Sequence, residues 1–122
     1  MTGAARRPDI RAPGAPRPGQ RPRIVALDVD GTLVDDRQQL HPRTRAAVRA
    51  AGAAGVEIVL ATGRMYRSVL PWARELAVCA PLICYQGAMV REMPTDASPV
   101  VDGVPQGALV IVSGLDPNPP EG

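Results

Sequence analysis

The sequence predicts an α/β fold whose parallel sheet is built in the order βαβαβ. Short apolar runs at 24–27, 56–61 and 81–85 are typical of strands that are buried on both faces. Two stretches between them, 42–54 and 65–77, carry apolar residues at helical spacing, and Pro42 and Gly55 mark the ends of the first. Strands that alternate with helices in this way form parallel βαβ units with right-handed crossovers.

Composition divides the 122 residues into one domain and two flanking segments. The strand–helix alternation occupies residues 23–92. Residues 1–22 form an Arg/Pro-rich tail that we expect to be disordered, because it contains too little apolar surface to offset the entropy of ordering. Residues 93–122 are rich in Pro and Gly, and we expect them to be largely irregular apart from a strand at 108–112.

The same composition limits the classes of partner. The first 23 residues contain six arginines against one aspartate, but no aromatic residue interleaves them, so nucleic acid is an unlikely partner. No apolar run is long enough for a membrane span, and the N-terminus lacks the apolar segment of a secretory signal, so we expect a cytoplasmic protein. Cys79 and Cys84 are expected to be buried, reduced thiols. Nothing in the sequence indicates an oligomeric state.

The first strand ends in Asp28-Val29-Asp30-Gly31-Thr32. Side chains at i and i+2 of an extended chain point to the same side, so both carboxylates can face one site. Gly31 permits a sharp turn, and Thr32 adds a hydroxyl and nearby backbone amides. Acids and free amides at the carboxyl end of a strand suit a phosphate held by Mg²⁺. The structural alternative is an ordinary Asp-Gly turn.

A second polar group, Thr62-Gly63-Arg64, follows the second strand, and the parallel order places it beside Asp28. The Thr62 hydroxyl is expected to hold a phosphoryl oxygen, to cap the next helix, or to do both. Arg64 lies at the edge of this site, where it can steer an anionic substrate or remain solvated. Trp72 is expected to pack in the core.

These motifs resemble those of the haloacid dehalogenase superfamily of aspartate-nucleophile phosphohydrolases, which have a Rossmann-like core. Residues 28–32 match its motif I, DxDGT, and Thr62 matches its motif II. The run Thr62-Gly63-Arg64 is similar to the Cof-like branch, in which Asn-Gly-Ala usually follows the third strand; Gln86-Gly87-Ala88 stands there in this chain. Gln86 therefore departs from the pattern but keeps an amide near the substrate side of the site.

The resemblance implies a role for each matched residue. Asp28 is the nucleophile that becomes an aspartyl-phosphate, and Asp30 is the general acid and base. The Asp28 carboxylate and the Asp30 backbone carbonyl bind Mg²⁺. Gly31, Thr32, Thr62 and Gly63 contact the phosphate. The substrate implied is a small phosphorylated metabolite.

The resemblance covers only the N-terminal half of such a core, roughly residues 23–92. In the Cof-like branch a large cap follows, and then a motif III lysine and a motif IV acidic pair. This sequence contains no lysine, and its remaining aspartates form no such pair. Two hypotheses therefore stand: a Mg²⁺-dependent phosphatase, and a catalytically incompetent fragment of one.

Overall fold

A computed structural model describes residues 19–112; residues 1–18 and 113–122 lie outside the described part, and with them most of the predicted tail. The order of elements is strand, helix, strand, helix, followed by strands alone. The elements are β1 (Ile24–Leu27), α1 (Pro42–Ala53), β2 (Glu57–Leu60), α2 (Tyr66–Glu75), β3 (Leu82–Cys84), β4 (Met89–Arg91), β5 (Val100–Val101), β6 (Val104–Pro105) and β7 (Leu109–Val112), with a short 3₁₀ turn at Tyr85–Gly87.

The predicted α/β class is confirmed, and β1 and β2 form its parallel ladder. They pair in register from Ile24 opposite Glu57 to Leu27 opposite Leu60. The third predicted strand, β3, joins this pair through a single parallel bridge between Ala61 and Ile83. The parallel sheet is therefore regular over two strands and continues to the third only at the end that carries Thr62.

Local sequence explains both helices. Pro42 is the first residue of α1, where its missing N–H costs no hydrogen bond, and Gly55 follows the helix with φ of +94°. The second helix keeps Pro71 in its interior. That proline lies on the exposed side, while the opposite face buries Tyr66, Val69, Leu70 and Ala73.

The hydrophobic core lies between the strands and the two helices, directly beneath the polar strand ends. Leu60 of β2 and Leu82 of β3 are both fully buried. Val29, which separates the two motif aspartates, is also fully buried. Because Val29 is anchored in the core, Asp28 and Asp30 on either side of it are directed outward at the end of β1.

The chain beyond β3 forms a second, antiparallel sheet in the order β3, β4, β7. The predicted strand at 108–112 corresponds to β7, which pairs with β4 across an irregularity at Val90 and Arg91. Between β4 and β7 in the sequence, β5 and β6 form a two-stranded hairpin that turns at Asp102 and Gly103, both with positive φ. The described part of the Pro/Gly-rich segment thus contains three short strands.

Tyr66 fastens this second sheet to the core. Its side chain is 4% exposed, and its hydroxyl donates to the carbonyl of Glu92 at 2.9 Å and accepts from the N–H of Gly107 at 3.2 Å. Gly107 passes so close to the Glu92 carbonyl that a Cβ would overlap it. A single buried phenol therefore bridges two backbone segments that follow β4 and precede β7.

Replacing Tyr66 with Phe should destabilise the fold by about 1–3 kcal/mol, because it leaves the buried N–H of Gly107 and the carbonyl of Glu92 without their partner. Urea unfolding of the purified chain measures the change. The matched control is Tyr85→Phe, since the Tyr85 side chain is 44% exposed. Equal losses in the two variants would contradict the bridging role of Tyr66.

Two further expectations concern exposure. Cys84 is buried and free, as expected, but Cys79 is free and exposed, so the expectation was wrong for Cys79. It lies just beyond α2, where alternate residues, Val78 and Ala80, take the buried positions. Within residues 19–112, no helix combines the length and apolar character needed to cross a membrane.

Candidate active site

The two polar strand ends lie side by side. Leu27 and Leu60 are paired at the ends of β1 and β2, and the N–H of Ala61 donates to the carbonyl of Leu27 at 2.9 Å. Asp28 follows directly on one strand, and Thr62 follows Ala61 on the other. The parallel register therefore brings the two predicted motifs to one edge of the sheet, as expected of parallel strands.

The loop after Asp28 is a tight backbone turn. The carbonyl of Val29 accepts from the N–H groups of Leu33 at 2.9 Å and Val34 at 3.0 Å, and from that of Thr32 at 3.3 Å. Gly31, with φ of +74°, donates to the carbonyl of Val34 at 3.0 Å. The expectation of free amides near Thr32 is therefore wrong for the N–H groups of Gly31 and Thr32, because both are used to close the turn.

Asp28 has an accessible carboxylate. The residue is exposed, and its Oδ1 accepts from the N–H of the adjacent Val29 at 2.8 Å. That bond holds one carboxylate oxygen against the backbone at the end of β1. An exposed, oriented carboxylate of this kind can act as a nucleophile or as a metal ligand.

Asp30 is bound on both oxygens by one guanidinium group. Arg64 donates from Nε to Oδ2 at 2.8 Å and from Nη2 to Oδ1 at 2.6 Å. The Arg64 side chain is 21% exposed and that of Asp30 is 53% exposed. Hydrogen bonding and charge from Arg64 hold the pKa of Asp30 below its usual range, and the same pairing raises the pKa of Arg64.

Arg64 is itself held by two side chains of α2. Its Nη1 donates to the Ser68 hydroxyl at 2.9 Å, and its guanidinium lies 4.6 Å from the centre of the Trp72 ring. A cation over an indole face is an attractive arrangement. Trp72 packs against the core as predicted and, in addition, supports Arg64.

Thr62 is the buried polar residue of the site, with 4% of its surface exposed. Its hydroxyl accepts from the N–H of Arg64 at 3.0 Å. It does not cap α2, because Met65 occupies the N-cap position of that helix and makes no side-chain capping bond. Of the two roles considered for Thr62, helix capping is therefore excluded, and its hydroxyl instead stabilises the turn that carries Arg64.

Gln86 reaches the same loop from the end of β3. Its N–H donates to the carbonyl of Thr62 at 3.1 Å, and the preceding N–H of Tyr85 donates to the carbonyl of Arg64 at 3.0 Å. Tyr85 and Gln86 both have positive φ, of 51° and 57°, which is unusual for residues with side chains. The Gln86 amide lies against Gly63, where no room remains for a Cβ.

Replacing Gly63 with Ala should displace the Gln86 side chain, because the added Cβ overlaps its amide. We expect a stability loss of about 1 kcal/mol or less, since the end of a flexible side chain can move. The double variant Gly63→Ala, Gln86→Ala should recover that loss, as denaturant midpoints will measure. Gly52→Ala meets only a 4.0 Å contact to Ile58, so this control should show no loss, and because Gly52 lies in α1 it should gain up to about 1 kcal/mol from helix propensity. A double variant no more stable than Gly63→Ala would contradict the overlap.

The sequence placed Asp28, Asp30, Thr62, Gly63, Arg64 and Gln86 at this edge, and the structure brings all six of them there through the contacts above. The sequence did not predict the pairing of Arg64 with Asp30 or the contacts that Ser68 and Trp72 make with Arg64. The available signal was the spacing of four between Arg64 and Ser68, which allows two side chains to meet at the start of a helix.

Comparison with known proteins places the chain in a family. Residues 25–102 match the family model of haloacid dehalogenase-like hydrolases. The chain belongs to this family. Its motif residues 28–32 and 62–64 all fall within the match, so the resemblance read from the motifs is confirmed.

Several relatives of this family member are phosphatases. The chain is 32% identical over 85 residues to a pyridoxal phosphate phosphatase, YbhA, of Escherichia coli, covering 65% of this chain and 31% of that protein. It is 38% identical over 77 residues to the putative phosphatase YxeH of Bacillus subtilis, covering 61% and 28%. A solved haloacid dehalogenase-like hydrolase from B. subtilis matches with a TM-score of 0.58 and 26% identity, covering 77% and 29%. The chain thus spans about three tenths of the length of these proteins.

Proposed function

We propose that this chain carries the nucleophile half of a Mg²⁺-dependent phosphohydrolase that acts on small phosphorylated metabolites through an aspartyl-phosphate. The observation that carries the proposal is the pairing of two strand ends in one site. Asp28 stands exposed at the end of β1, and the hydrogen bonds of Ala61 and Thr62 fix the end of β2 beside it. The phosphatase activity named for YbhA, on pyridoxal phosphate, supports the substrate class.

The residues present allow a two-step displacement. An Asp28 carboxylate oxygen attacks phosphorus, the bond from phosphorus to the ester oxygen breaks, and Asp30 gives that oxygen its proton. A water molecule then attacks the aspartyl-phosphate as Asp30 takes its proton, releasing inorganic phosphate and restoring Asp28. The covalent intermediate divides one difficult displacement into two easier ones.

The ion pair with Arg64 favours one of the two roles of Asp30. A carboxylate whose pKa is lowered is ionised near neutral pH, which suits the removal of a proton from water. Donation to the leaving oxygen requires the protonated form, which the guanidinium disfavours. In the substrate-free chain, Asp30 is therefore in the state that suits hydrolysis of the aspartyl-phosphate, in which it takes a proton from water.

The donors present fit a magnesium ion in part. Mg²⁺ commonly takes one or two protein carboxylates and completes its octahedral shell with water and substrate phosphate. The Asp28 carboxylate and the Asp30 backbone carbonyl would supply two oxygen ligands. Residues 19–112 contain no cluster of three or more His, Cys, Asp or Glu side chains able to hold a metal. When bound, the ion neutralises negative charge on the phosphoryl group.

The test is phosphate release by the purified 122-residue chain from pyridoxal phosphate and from sugar phosphates. Magnesium chloride is compared with EDTA in matched reactions. Release that depends on magnesium, together with a protein adduct of the mass of one phosphoryl group in the Asp30→Asn variant, is the expected result. Release that is equal in EDTA would overturn the magnesium assignment, and Asp30→Asn without the adduct would contradict the covalent mechanism.

The alternative function is that of a catalytically incompetent fragment. The specific observation in its favour is that the sequence has no lysine to stabilise the phosphate and nucleophile charges. Loss of one preorganised charge-stabilising group commonly lowers kcat by about 10²–10³-fold. No magnesium-dependent release above the uncatalysed rate, in a chain shown to be folded, would establish this alternative.

A further inference from the structure

We propose that Arg64 is a positioning residue for Asp30, and that Ser68 and Trp72 in turn fix Arg64. The inference rests on the proposed function for its catalytic meaning, but the arrangement can be tested without turnover. Ser68 and Trp72 of α2 thereby help to orient Asp30, the proposed acid–base group, although no residue of α2 touches Asp30 in the described bonds.

Asp30 is exposed at the edge of the site. Its side chain is 53% exposed and lies on the loop after β1, so packing restrains it less than it restrains a core side chain. Both of its oxygens are instead held by the fork of one guanidinium, at 2.6 and 2.8 Å. Two parallel charge-assisted bonds define the plane and direction of a carboxylate, which a single bond does not.

Arg64 is held through both its backbone and its side chain. Its N–H donates to the Thr62 hydroxyl at 3.0 Å, and its carbonyl accepts from the N–H of Tyr85 at 3.0 Å. Its side chain is anchored to the Ser68 hydroxyl and lies over the Trp72 ring. A flexible arginine is thereby confined before it meets Asp30, so it can impose a geometry on that carboxylate.

The occupied donors and the low exposure of Arg64 favour positioning of Asp30 over binding of substrate. Three of the five guanidinium N–H groups are engaged, at Nε, Nη1 and Nη2, and the side chain is only 21% exposed. The Asp30 side chain remains 53% exposed, so its pairing with Arg64 leaves it accessible to water. A guanidinium with its carboxylate-facing edge already occupied is better suited to hold Asp30 than to capture a second anion.

The primary test is NMR spectroscopy of the purified 122-residue chain. The couplings between the α and β protons of Asp30 report its rotamer, and we expect a single rotamer in the unchanged chain. Arg64→Lys keeps the charge but removes the fork, and Ser68→Ala and Trp72→Leu loosen the support. All three should give averaged couplings, with Arg64→Lys the most affected. A single Asp30 rotamer retained in Arg64→Lys and Ser68→Ala would overturn the proposal.

The Nε–H signal of Arg64 gives a second readout. In Asp30→Asn its exchange with solvent should be about tenfold faster, because a charged acceptor is lost. The surface pair Arg45 with Glu75, joined at 3.1 Å, is the matched control, so Glu75→Gln should leave the Arg64 signal unchanged. An Arg64 signal that is unaffected by Asp30→Asn would contradict the pairing.

Turnover, where it is present, distinguishes the two roles of an arginine in this site. Misplacement of Asp30 in Arg64→Lys should lower kcat about 10–100-fold with KM nearly unchanged. Arg67→Lys, in the first turn of α2, is the control, because Arg67 donates to the backbone carbonyl of Asp102. A raised KM with unchanged kcat in Arg64→Lys would instead assign Arg64 to the substrate. Absence of turnover refutes the proposed function alone, and the NMR couplings then decide the positioning role.

Discussion

Asp28→Asn should abolish phosphate release, with a loss of at least ~10³-fold in kcat, the size expected when a covalent nucleophile is removed. The amide has nearly the shape of the carboxylate, so the turn at the end of β1 should persist. An amide oxygen, however, carries no charge with which to attack phosphorus. The loss is measured as initial rates of phosphate release at saturating magnesium and substrate.

Trapping of the covalent intermediate identifies the nucleophile. Asp30→Asn keeps the nucleophile, so it should slow hydrolysis of the intermediate and accumulate a protein adduct of one phosphoryl mass, whereas Asp28→Asn should form none. Asp36→Asn, an exposed acid in the following turn, is the control and should retain the full rate. An adduct that persists in Asp28→Asn would refute the assignment of the nucleophile.

Local sequence was sufficient to predict the regular half of the fold. Apolar runs of four to six residues, a proline at the start of α1 and a glycine after it are short-range signals, and each agrees with the structure. Parallel pairing of β1 and β2 then follows from the helix between them. The adjacency of Asp28 and Thr62 required nothing beyond that pairing and the fact that both motifs end their strands.

The contacts that complete the site were not predictable in the same way. Arg64 meets Asp30 across 34 residues, and it also contacts Ser68 and Trp72, so the pairing joins groups that no local pattern relates. The left-handed backbone of Tyr85 and Gln86 breaks a local rule, because their N–H groups are used to hold the Thr62–Arg64 loop. Departures from local preference are expected at functional sites.

The second sheet illustrates a different limit. Two-residue strands such as β5 and β6 are too short to be recognised by an alternation of apolar and polar residues. The buried hydroxyl of Tyr66 and the close passage of Gly107 set the position of this segment. Each of those contacts joins residues at least 15 positions apart, so composition alone suggested an irregular chain.

Leu60→Ala should destabilise the fold by about 3 kcal/mol, within the 2–5 kcal/mol typical of such truncations in a packed core. Leu60 is fully buried at the end of β2 and belongs to the cluster that contains Val29, Val69 and Leu82. The cavity left by the lost methyl groups lies directly beneath the segment that carries Thr62. Since a small domain has only about 5–15 kcal/mol of total stability, this one change removes a large share of it.

Urea unfolding followed by circular dichroism measures the loss, and Leu109→Ala is the matched control because that leucine of β7 is 50% exposed. The control should cost less than about 1 kcal/mol, since its side chain already contacts water in the folded state. The difference between the two variants therefore measures the effect of burial at Leu60, separately from the general effect of truncating a leucine side chain. Equal losses would mean that β2 is not packed as the structure places it, and the adjacency of Asp28 and Thr62 would lose its support.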